Sequence, residues 1–87
     1  MEVRYSPRFK RAYQTLPNHI QASFDERISI FMQNPRNPRL RVHKLKGRLD
    51  ECLAFYLRDG YRVLFEFEKN EIVLLLTVGP HDHYGRW

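Results

Sequence analysis

One stretch constrains the fold of this chain more than any other: ECLAFYLRDGYRVLFEFEKNEIVLLLTVG, residues 51–79. It holds three runs rich in aromatic and aliphatic residues, separated by RDG and KN, and reads as an antiparallel meander. A three-residue loop Arg58, Asp59, Gly60 suits the first turn, because its third position needs positive φ, where glycine carries no steric penalty. Leu57 then faces Tyr61, and Tyr56 faces Arg62. Since strand side chains alternate, this register gathers Leu53, Phe55, Leu57, Tyr61, Val63, Phe65 and Phe67 on one face. The opposite face receives Cys52, Ala54, Tyr56, Arg62, Leu64 and Glu66. A two-residue turn at Lys69 and Asn70 would add Val73, Leu75 and Thr77 to it, with Arg62 opposite Thr77.

What precedes the meander supplies the cover for its apolar face. VRY near the start is a short strand candidate. In SPRFKRAYQTLP the spacing of Phe9, Ala12, Tyr13 and Leu16 makes one helical face, with Ser6 and Pro7 as the start and Pro17 as the stop. Arg8, Lys10, Arg11 and Gln14 look outward. A second helix is predicted from about Asn18 to Gln33, burying Ile20, Phe24, Ile28 and Phe31, and NPRNP ends it. At 87 residues the chain has room for one core, so residues 1–87 are expected to form a single α+β domain: an N-terminal helical hairpin packed on one face of a small, mainly antiparallel, twisted sheet.

Charge and composition narrow the partners. With 43% hydrophobic residues the chain is too apolar for a disordered one, yet no run reaches the ~18 apolar residues of a membrane span. MEVRYSPRFK shows no apolar signal region and the single cysteine forms no internal disulfide, so a cytoplasmic location is expected, with no membrane partner. The net charge of +5 favours a polyanionic or acidic partner. Six of the fifteen Lys and Arg lie in RNPRLRVHKLKGR, residues 36–48, with no acid among them. That segment is either a solvated loop or a phosphate-binding strip, and the absence of acids favours the strip.

The last ten residues, VGPHDHYGRW, crowd two histidines, an aspartate, a tyrosine, an arginine and the only tryptophan behind an apolar strand. An arginine, an imidazole, nearby lysines and a tyrosine suffice to cleave RNA without a metal. Imidazole moves a proton at neutral pH, Arg or Lys stabilises charge on the phosphate oxygens, and an aromatic ring stacks on a base. The alternative is that His81 and His83 are surface residues of a fraying terminus. A metal site at HDH is disfavoured, because alternate positions of an extended segment point opposite ways, and no cofactor is expected. Cys52 reads as a small buried group, His43 as a strand residue within the strip, and Trp87 as either a cap on the core edge or a partner contact.

Taken in order, RFKRAYQTLP, the second helix, NPRNPRLRVHKLKG, DGYRVLFEFEKNEIVLLLTVG and the closing HDHY resemble RelE-type toxins of toxin–antitoxin pairs, over almost the entire chain. The most specific parts are HKLKG, GYRVLF and VG-x-H. The resemblance implies the RelE-like fold, cleavage of mRNA on the ribosome and a cognate antitoxin protein as partner. It assigns Arg62 to the scissile phosphate and His81 to proton transfer. Tyr84 sits near the family's C-terminal aromatic, three residues past His81 where many members have it four past. Members that use lysines before the turn differ from this chain, which has Ala54 and Tyr56 there; that shifts weight to His81. The expected catalytic set is therefore Arg62, His81 and Tyr84. Arg39, Arg41, Lys44, Lys46, Arg48 and Tyr56 are expected to contact RNA or the ribosome. Two other functions fit: a gyrase-inhibiting toxin of the related ParE type, which shares the fold and cuts nothing, and a non-catalytic RNA-binding domain.

Overall fold

The computed structural model describes residues 1–45, 52–69 and 71–80. Strand β1 (Glu2–Tyr5) leads into helices α1 (Pro7–Gln14) and α2 (Asn18–Gln33). A 3-10 turn at Pro38–Leu40 follows, then β2 (His43–Lys44), β3 (Leu53–Tyr56), a second 3-10 turn at Arg58–Gly60, β4 (Tyr61–Glu68) and β5 (Ile72–Pro80). The five strands form one sheet in the order β1-β5-β4-β3-β2. Every neighbouring pair is antiparallel except β1 with β5, which is parallel. Both helices pack on one face of this sheet, as the sequence predicts.

Local chemistry sets the helix ends. Ser6 takes an extended conformation and its Oγ accepts the Phe9 amide at 3.0 Å, while Pro7 begins the first turn, where a missing N–H costs nothing. The same hydroxyl donates to the Leu76 carbonyl at 2.8 Å, so one side chain both caps α1 and anchors it to β5. Pro17 separates the helices, and Gln21 reaches back to donate to the Tyr13 carbonyl at 2.9 Å. Helix α2 gives way at Asn34, and the side chains of Asn34 and Asn37 each accept an amide two residues on, which turns the chain toward β2.

The main core lies between helices and sheet. Phe31 of α2 is fully buried, stacked on Phe55 at 5.2 Å and edge-on to Phe65 at 5.0 Å, and Phe9 meets Phe24 at 5.2 Å. Leu16, Ile20, Leu40, Leu57, Val63, Val73, Leu75 and Val78 complete its buried residues. The hairpin between β3 and β4 has the predicted register, Phe55 opposite Val63 and Tyr56 opposite Arg62, with Leu57 donating to the Tyr61 carbonyl at 2.7 Å. Gly60 sits at φ 78° with open space where a Cβ would be, so an alanine there meets only backbone strain. Asp59 is also left-handed, at φ 56°, and its carboxylate pairs with His19 of α2 at 3.0 Å.

The register of β5 differs from the sequence-based expectation. Glu68 pairs with Ile72, so three residues rather than two connect β4 to β5, and Glu71 takes φ 60°. A tight two-residue hairpin wants positive φ at both turn positions, for which Lys69 is a poor residue. A bulge then follows: Leu64 faces Thr77 and Phe65 faces Leu75, leaving Leu76 as the extra residue. Val73 and Leu75 therefore join the helix-covered core, and Leu76 joins the opposite face. Arg62 faces Gly79 instead of Thr77. Since IVLLLTV is apolar at both parities, alternation in the sequence cannot choose between these registers.

Candidate functional site

The face of the sheet without helices carries a small apolar patch and a basic, aromatic cluster. Leu45, Ala54 and Leu64 are buried there, with Cys52 and Leu76 half-buried against them. Beyond this patch, at the end of the sheet where β3 turns into β4, stands Tyr56. The Arg62 guanidinium carbon lies 4.4 Å from its ring centroid and that of Arg41 lies 4.3 Å from it. The His43 ring is 5.2 Å away, inclined by 31°.

Each member is delivered by a different piece of local structure. Tyr56 and Arg62 are cross-strand partners on β3 and β4. His43 pairs with Ala54 on β2 and so points to the same face. Arg41 comes just before β2, at φ 54°, where the 3-10 turn ends. A carbonyl can only accept, so the 3.1 Å contact between His43 Nδ1 and the Arg41 carbonyl is a hydrogen bond when Nδ1 carries the proton. A ring between cations offers each its negative face, worth roughly 0.5–2 kcal/mol per contact according to desolvation. Stacking engages the flat face of a guanidinium and leaves its N–H edge able to meet an anion.

Among the sequence-predicted residues, the structure brings Arg41, Tyr56 and Arg62 together. It holds Arg39 apart: this side chain is exposed, 3.8 Å from Glu26 of α2, on the helix side of the sheet. Lys44 is exposed on the edge strand, opposite Leu53, with the parity opposite to His43. Lys46, Arg48, His81 and Tyr84 lie outside the described residues. Pro80, the last described residue, pairs with Tyr61, next to Arg62. Sequence reasoning left His43 out of the site. The alternation of Arg41, His43 and Leu45 was the available signal, but it means nothing for Tyr56 until β2 is paired with β3.

A second surface feature lies across the molecule. Tyr5, Phe9, Tyr13 and Phe24 line an open groove of about 440 Å³ between β1 and the helices, and the Tyr13 hydroxyl donates to Asp25 at 3.1 Å. Burial pushes the Tyr13 pKa up, and the hydrogen bond to Asp25 and its charge add to the rise. Among the described residues no helix is long and apolar enough to cross a membrane.

Two helices on one face of a five-stranded, mostly antiparallel sheet is the fold of the RelE-like toxins. Solved structures of that class share this fold. The toxin–antitoxin complex RelBE2 of Mycobacterium tuberculosis aligns over 92% of this chain and 96% of the other, with TM-score 0.73 and 23% identity. YafQ of Escherichia coli aligns over 93% of each chain, with TM-score 0.77 and 9% identity. The YoeB/ParE toxin of Agrobacterium tumefaciens aligns over 93% and 99%, with TM-score 0.74 and 11% identity. Residues 3–83 match the family described as the ParE toxin of the type II toxin–antitoxin system parDE, and the chain belongs to that family, within the RelE/ParE superfamily of toxins. No curated protein sequence matches it.

Proposed function

We propose that this toxin is a ribosome-dependent mRNA endoribonuclease. The observation that carries the reading is the convergence of Arg62, Arg41 and His43 on Tyr56, a cationic site with a titratable group beside the strand end from which the chain runs on to His81. The reaction is a transesterification. The substrate's 2′-oxygen loses its proton to a base and bonds to the adjacent phosphorus. The bond to the 5′-oxygen breaks, and that oxygen takes a proton as it leaves. The products are a 2′,3′-cyclic phosphate and a free 5′-hydroxyl. Arg62 stabilises the charge that builds on the phosphate oxygens, His81 moves a proton, and Tyr84 positions a base. Catalysis needs no metal in this scheme. Arg41, Lys44, Lys46 and Arg48 hold the mRNA or ribosomal RNA backbone, with Arg39 contributing from the helix side.

Inhibition of DNA gyrase is the second reading, and the match to the ParE family favours it. Induction in cells followed by primer extension on a translated message separates the two. Ribosome-phased breaks that vanish in Arg62→Ala and His81→Ala support the nuclease; intact message with double-strand DNA breaks selects the gyrase inhibitor. The partner on either reading is an antitoxin, as in the RelBE2 complex, with acidic residues to meet the +5 charge and apolar anchors besides. Co-purification with the product of the adjacent reading frame checks this.

A further inference from the structure

We infer that Tyr56 is a positioning residue, which sets Arg41 and Arg62 as two phosphate forks for single-stranded RNA. The inference rests on the nuclease reading and gives one residue of that site a role of its own. Tyr56 lies on β3 with β2 on one side and β4 on the other. Arg41 reaches the ring from the β2 side, at 4.3 Å, and Arg62 from the β4 side, at 4.4 Å. A ring flanked in this way has its faces occupied, so no nucleobase stacks on it while both arginines are in place. Tyr56 meets RNA through its neighbours.

The physical reason for such a device is the behaviour of arginine. A guanidinium on a long side chain samples many rotamers, and two of them side by side repel. An aromatic ring between them supplies negative charge to both, keeps them apart and removes rotamer freedom before substrate arrives. The planar fork of a guanidinium has the geometry that a phosphate accepts bidentately. Two further observations bear on the placement of Arg41, the first of them independent of the ring. Its backbone is left-handed, at φ 54°, a conformation that a non-glycine residue holds only where its surroundings impose it. Its carbonyl oxygen is bound by His43, whose own ring packs against Tyr56 at 5.2 Å.

The test is a mutant cycle read by affinity for a 2′-O-methylated single-stranded RNA decamer, which lacks the nucleophile and is not cut. Tyr56→Leu should weaken binding about tenfold, the order of two cation–π contacts, and Tyr56→Phe, which keeps the ring, should stay within about twofold of the parent. In an Arg41→Gln, Arg62→Gln background Tyr56→Leu should change affinity by less than about twofold, since nothing remains for the ring to position. A full tenfold loss in that background would mean that the ring contacts RNA directly, and it would overturn the inference. So would normal binding by Tyr56→Leu. If Tyr56→Leu does not fold, Tyr56→Thr, a β-branched residue suited to a strand, takes its place in both backgrounds. A parent protein that cuts translated message while Tyr56→Leu binds normally sinks the positioning role alone. A parent that neither binds the decamer nor cuts message removes the nuclease reading and the positioning role together.

Discussion

Tyr13 shows how one side chain couples packing to pH. Its hydroxyl is neutral in the fold and bonded to Asp25, and its pKa stands above the ordinary 10.0 through burial first and Asp25 second. The unfolded chain ionises near 10.0, so the stabilisation from Tyr13 is intact below that pH and is lost as pH rises through the higher folded value. The melting-temperature advantage of the parent over Tyr13→Phe should therefore be constant up to about pH 9 and shrink as pH rises above 10.0. A constant difference across that range would show that the hydroxyl contributes nothing titratable. Residue-scale features of this kind were only partly legible in the sequence. Tyr13 reads as a core-facing helix residue from spacing alone, but Asp25 is on the other helix, and no pattern joins them. Arg41 was legible as a charge in a basic strip, while its left-handed backbone and its place against Tyr56 depend on a two-residue strand that carries almost no signal.

At the scale of elements, the boundaries that rest on local chemistry were the legible ones. Ser6 with Pro7, Pro17, and the NPRNP stop mark both helices, and RDG marks the first hairpin, because each acts through its own backbone. Ser6 has a further role. Its Oγ satisfies the Phe9 amide and the Leu76 carbonyl at once, so Ser6→Ala removes a cap and an anchor together. The expected loss is about 2 kcal/mol, the upper end for a cap, which is roughly 10 °C in Tm for a domain of this size, and Ser6→Thr should recover most of it. Thermal unfolding followed by circular dichroism checks both. Strand β5 is the element that resisted reading. Its apolar residues fill both parities, so its register is set by the loop that begins it and by the bulge at Leu76, neither of which the sequence announces.

On the scale of the molecule, the basic residues differ in how their neighbours engage them. Arg39 is engaged with Glu26 on the helix side, and Lys44 stands exposed on the edge strand. The salt dependence of binding to the 2′-O-methylated decamer should separate them: Lys44→Gln should reduce the slope of log K against log salt by about 0.7, the value for one phosphate contact on a single strand, and Arg39→Gln by much less. Equal reductions would place both on the RNA path. The pairing of β1 with β5 was not legible either, since VRY and IVLLLTV are distant in sequence and nothing local selects a parallel partner. That pairing bears on the order in which the protein comes into being. Synthesis delivers β1 first, but β5, which β1 pairs with and α1 is tied to, is made some 70 residues later, and contacts of such span form slowly after the loop between them closes. A growing chain therefore cannot complete the five-stranded sheet, or tie α1 to it, until β5 has been made.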